Sequence, residues 1–145
     1  MDERERALAA MGVDALNASL AGLGYPLIVS SSDVRMAEPV VGDIPNAVVE
    51  RPGVAPLRIV FGRDLNIWVG PYSEVVTVPV SEETRGLMEE VITKVLMSEI
   101  VCSYRRRSVE LVLRLPDHEP WMRLRVRGSD LQRLLEPRYQ PYARV

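Results

Sequence analysis

Few residues in this chain could do chemistry, and their spacing limits what they could do. The single histidine, His118, stands in Pro116-Asp117-His118-Glu119-Pro120. A carboxylate beside an imidazole can orient it as a general base or a metal ligand. Two prolines around so short a segment instead describe a solvated connection between strands. One histidine and one cysteine, Cys102, supply neither a two-histidine metal site nor a cysteine cage. Cys102 falls at an inward position of an alternating run, between Ile100 and Tyr104, and reads as a small core residue. A thiolate nucleophile needs an exposed, electropositive setting with a base nearby. Ser30, Ser31 and Ser32 form a run without a G-x-S-x-G context. Neither the P-loop pattern nor G-x-G-x-x-G occurs, so no phosphate cradle is encoded. The pairs Glu82/Glu83 and Glu89/Glu90 sit on adjacent helical positions about 100° apart and do not converge on one atom. No catalytic residue, metal or cofactor is expected.

Arginine is the residue type that asks for an explanation. Seventeen arginines stand against one lysine, Lys94, a bias expected of a GC-rich coding genome, and a bacterial protein is expected. Residues 1–100 carry 8 basic and 15 acidic groups; residues 101–145 carry 10 basic and 5 acidic. The last third also alternates with a period of two, which sends Arg105, Arg107, Arg114, Arg123, Arg125 and Arg127 to one face, with Glu110 among them. Like charges on neighbouring strands repel, so something anionic must compensate. Three compensators compete. The acidic first half, through Asp2, Glu3 and Glu5, could cross the array. An acidic protein partner or a second copy could dock on it, or a nucleic-acid backbone could. The net charge of −2 and the near absence of lysine weigh against nucleic acid. So does Trp121 as the one outward aromatic, since single-strand-binding sheets stack several bases.

These side chains must be positioned by a scaffold, and 145 residues are enough to bury a core in one domain without disulfides. A helix is expected from Asp2 to about Leu23. Ala9, Val13, Leu16, Leu20 and Leu23 recur on one stripe, which suits docking onto a sheet or pairing between two copies. Gly12 reads there as a weak spot worth about 1 kcal/mol against Ala. Leu27 to Ser30 reads as a short strand. Between Ser31 and Pro56 the prolines leave only Ala47 to Glu50 as a candidate, at an edge; a loop that long is functional or hides an element.

Leu57–Phe61 and Leu65–Val69 flank Gly62-Arg63-Asp64 as a β-hairpin, with Leu57, Ile59, Phe61, Leu65, Ile67 and Val69 inward. Glu74 to Val80 adds a strand. Ser81 then caps a buried helix with Glu82 and Glu83 in its first turn, and Leu87, Met88, Val91, Ile92, Val95 and Leu96 form its apolar face. Strands follow over Glu99–Arg105, Val109–Leu115 and Trp121–Arg127. A short helix runs from Ser129 or Asp130 to Glu136, and an extended tail ends the chain.

The fold class expected is α+β: one antiparallel sheet of about five to six strands, a central helix packed on it and an N-terminal helix. The charged N-terminus lacks a signal core and no apolar run spans a bilayer, so a cytoplasmic location is expected. The functional expectation is a non-catalytic binding or adaptor protein, chaperone-like or toxin-neutralising. It would act through a protein–protein interface, with a homodimer expected. Its contacts would be the arginine face, Trp121 and the loop around Gly42 to Gly53. Nucleic-acid binding through the same arginines is the alternative, and an enzyme using His118 a third class.

Overall fold

Alternation of aliphatic and polar residues is the strongest local signal in the chain, and it becomes two antiparallel sheets. The computed structural model describes residues 2–23, 34–37, 42–70, 73–127 and 135–143, without the side chains of Val34, Arg35 and Arg127. The first sheet has the order β1(Val34–Ala37)-β2(Asn46–Val49)-β3(Leu57–Phe61)-β4(Asp64–Val69)-β5(Val75–Pro79). The second has the order β8(Pro120–Arg127)-β7(Ser108–Arg114)-β6(Glu99–Arg105)-β9(Arg138–Tyr139). Helices α1(Glu3–Gly22) and α2(Arg85–Met97) complete the α+β architecture.

The hairpin β3–β4 forms in the expected register, with Phe61 opposite Leu65 and Leu57 opposite Val69. All six of its inward residues are buried. The one expected sheet is two, because the segment before β5 serves both. Ser73 bridges to Val126 and Glu74 N–H donates to the Arg125 carbonyl at 2.8 Å, after which the chain turns away and β5 pairs with β4. A second link joins the sheets at the C-terminus. Gln140 N–H donates to the Gly53 carbonyl at 2.9 Å and Arg51 Nη2 to the Tyr142 carbonyl at 2.6 Å.

Helix α1 starts on a complete capping box. Asp2 accepts from Glu5 N–H at 2.8 Å while the Glu5 carboxylate accepts from Asp2 N–H at 3.2 Å. Its buried face is Ala9, Gly12, Ala15, Leu16 and Ser19, smaller than the expected stripe; Val13 and Leu20 are only half-buried. Small residues let α1 approach both α2 and β3 closely. Ser19 Oγ donates to the Glu89 carbonyl of α2 at 3.1 Å. A Cβ on Gly12 would stand 2.9 Å from Cδ1 of the fully buried Phe61, so this glycine is a contact requirement and not the weak spot its helix propensity suggests.

Four further expectations are corrected. The Ser31–Pro56 stretch contains two strands, and β2 is interior, flanked by β1 and β3 and buried along its length. Helix α2 begins at Arg85, not after Ser81. Thr84 and Ser81 bond each other reciprocally, Ser81 N–H to Thr84 Oγ1 at 2.9 Å and Thr84 N–H to Ser81 Oγ at 3.2 Å, which holds Glu82 and Glu83 in a turn. Leu87 is 48% exposed, outside the buried face of Met88, Ile92, Val95 and Leu96. In β6 Ile100 and Cys102 are buried as expected, but Tyr104 is 48% exposed and its hydroxyl donates to the Leu135 carbonyl at 2.6 Å.

The expected strand at Leu27–Ser30 lies outside the described residues, as does the expected last helix up to residue 134; Leu135 and Glu136 are not helical. Side chains of both sheets and both helices contribute to one buried cluster. Among the described residues no helix is long and apolar enough to cross a membrane.

Candidate functional site: the arginine face of the second sheet

The pairing of β6, β7 and β8 decides which arginines share a surface. Val109, Leu111 and Leu113 of β7 are buried on one face, opposite Leu124 and Val126 of β8 and Ile100 and Cys102 of β6. By the period of two, the other face receives Ser108, Glu110, Val112 and Arg114 from β7. It also receives Arg123 and Arg125 from β8, and Glu99, Val101, Ser103 and Arg105 from β6. Register puts Arg125 directly opposite Glu110 and Arg123 opposite Val112. Val112 is only 3% exposed although it lies on this outer face, an aliphatic floor among the neighbouring arginine positions.

Glu110 is the electrostatic centre. It accepts from Arg123 Nη1 at 2.7 Å and lies 3.7 Å from Arg105 Nη2. Its side chain is 17% exposed, whereas those of Arg105 and Arg123 are 66% and 59% exposed. One carboxylate therefore engages two guanidiniums and faces a third across the strand pair. Arg114 stands at the far end, opposite Glu99 and Pro120, with its Nε buried and unbonded among the described residues. Arg127 is opposite Ser108 in register, and its side chain lies outside the described residues.

Arg107 is not on the face. It occupies the two-residue β6–β7 turn with Arg106, since Arg105 pairs with Ser108. Arg138 joins the face instead, because β9 pairs with β6 and sets Arg138 opposite Val101. Its signal was the tail's own alternation: Arg138 is exposed and Tyr139 buried. Trp121 is the second correction. Its indole N–H donates to the fully buried Ser98 Oγ at 2.6 Å, and Lys94 Nζ sits 5.7 Å from its ring centroid. That side chain locks β8 to the end of α2 and is no open stacking platform.

The acidic N-terminus does not cross the array. Asp2 and Glu5 are committed to the capping box, and Glu5 lies 3.2 Å from Arg63 Nε at the β3–β4 turn. Among the described residues, Arg105, Arg114, Arg123, Arg125 and Arg138 meet Glu99 and Glu110 on the face, with Glu74 at its border beside Arg125.

The other chemical candidates stay apart. His118 occupies an exposed turn with φ 65°, where Asp117 Oδ1 accepts from Glu119 N–H at 2.9 Å. Burial pushes the Cys102 thiol up to about 11, so it stays protonated at neutral pH. Ser30 to Ser32 lie outside the described residues. No group of three or more His, Cys, Asp or Glu side chains comes together among the described residues. Compared with known proteins, the chain matches no family model, no curated protein and no solved structure.

Proposed function

We propose that this chain is a non-catalytic binding or adaptor protein of the bacterial cytosol that captures an acidic stretch of a protein partner on the outer face of β6, β7 and β8. The observation that carries this reading is the imbalance around Glu110: guanidiniums on three adjacent strands share fewer carboxylates. Exposed guanidiniums over an aliphatic floor suit planar, bidentate recognition of carboxylates. They also steer an acidic partner to the face before contact. The engagement of Trp121 by Ser98 and Lys94 favours an acidic polypeptide over nucleic acid, because base stacking needs an open ring. A chaperone-like or toxin-neutralising role fits this mode of capture. Homodimer formation belongs to the same proposal, and light scattering tests it: a monomer mass removes that part.

Fluorescence anisotropy with labelled polyglutamate and a labelled single-stranded oligonucleotide, each at low and high salt, tests the face. The expected result is salt-sensitive binding of polyglutamate that is lost in the Arg123→Glu/Arg125→Glu double variant. Absence of polyglutamate binding at low salt sinks the reading. Tighter binding of the oligonucleotide transfers the face to nucleic acid.

A further inference from the structure

The edge of the arginine-bearing sheet holds more information than its face. β8 is the terminal strand of its sheet, with β7 on its inner side. The fold itself adds a strand-like segment to the outer edge of β8, but only at one end. There Ser73 bridges Val126, and Glu74 N–H donates to the Arg125 carbonyl at 2.8 Å. The Arg125 carbonyl thus points away from β7. In an antiparallel ladder alternate residues repeat that direction, so the backbone N–H and C=O of Arg123 point to the outer edge too. Past Glu74 the chain peels off to pair with β4, and among the described residues no strand pairs with the outer edge of residues 120–124.

This edge is flanked on the outer face by Arg123, whose side chain is 59% exposed, and by Arg125. Charged side chains on an edge strand discourage pairing with uncharged apolar strands. The same charges favour a strand that brings carboxylates. An extended peptide added to a sheet edge gains affinity from main-chain hydrogen bonds and specificity from every second side chain. Added beside β8, its alternate residues would face outward next to Arg123 and Arg125. Glu74 already shows the pattern in miniature: an acidic residue whose backbone bonds to the edge of β8 at Arg125.

We infer that the partner segment is an extended acidic strand, with carboxylates at alternate positions, that adds to the outer edge of β8 beside Arg123 and continues the line that Ser73 and Glu74 begin. This inference rests on the acidic-partner reading of the face and specifies how the partner is held. Glu110 then acts as the internal counter-ion that the incoming carboxylates share or displace at Arg123.

Three fluorescein-labelled octapeptides of alternating Glu and Thr test it by anisotropy at low salt. One is unmodified, and the other two are N-methylated on alternate backbone nitrogens in opposite phases. N-methylation removes hydrogen-bond donors and keeps the charges. The expected result is binding of the parent, about tenfold weakening in one methylated phase and little change in the other. Arg123→Gln should weaken the parent peptide, and Glu110→Gln should tighten it. If both methylated phases bind like the parent, strand addition is overturned while charge capture by the face stands. If none of the three binds, both readings fall together.

Discussion

The two sheets of this protein share an aliphatic inner face and differ on the outer one. Outside the first sheet, the side-chain hydrogen bonds between strands end on the neutral amides of Asn66 and Asn46. Thr77 Oγ1 donates to Asn66 Oδ1 at 2.8 Å across β4 and β5, and Arg58 Nη1 donates to Asn46 Oδ1 at 3.2 Å across β2 and β3. Outside the second sheet, Glu110 must serve Arg105 and Arg123 and faces Arg125 as well. The contrast teaches that a well-formed sheet does not need its outer face balanced. A sheet stabilised by its core can carry excess charge on the other side, where water screens the repulsion until a partner replaces the water. On the second face that charge gathers around Glu110.

Four substitutions break or sharpen this contrast. The largest effect belongs where α1 meets the inner face of the first sheet, since Gly12→Val drives a branched side chain into the Phe61 ring. It should cost about 2–3 kcal/mol in urea unfolding, with no dependence on salt. Glu110→Lys comes next, because it removes the shared counter-ion and adds a cation among Arg105, Arg123 and Arg125. A loss of about 2 kcal/mol is expected after allowing for the exposure of the arginines, and it should shrink as salt rises. A loss that ignores salt would mean that Glu110 acts through packing. Asn66→Ala on the first sheet removes one neutral bond, and about 0.5 kcal/mol, insensitive to salt, should be lost. The smallest change is Tyr142→Phe at the seam that ties the sheets together. The Tyr142 hydroxyl is buried and unbonded among the described residues, so its removal should raise stability by roughly a few tenths of a kcal/mol. A clear loss there would show that the hydroxyl has a partner.

Much of the second sheet was legible because its pattern is redundant. Val109, Leu111 and Leu113 alternate with Glu110, Val112 and Arg114, and Met122, Leu124 and Val126 with Arg123 and Arg125, so a slip by one would bury arginines and register and face follow together. The hairpin at Gly62-Arg63-Asp64 was legible for the same reason, with a turn signal added. β1 and β2 were obscured because prolines surround them, and β2 is buried on both sides, which removes the alternation that marks a strand. Arg107 was misplaced because a two-residue turn interrupts the strand period. Trp121 was misread because the partner that engages it, Ser98, stands 23 residues away and carries no local mark.

From the order of its residues alone, this chain determines its class, the central hairpin, and the sidedness of its last three strands, since these depend on side-chain periods along a few consecutive positions. Tertiary structure decides how the strands divide into two sheets and why Gly12 must be a glycine. It also decides that Asp2 and Glu5 at the start of the first helix are engaged in its cap, Glu5 also beside Arg63, and that Glu110 stands at the centre of the cationic face. Each of those outcomes depends on groups distant in the chain meeting at a few ångströms, where steric exclusion and charge act and where local pattern is silent.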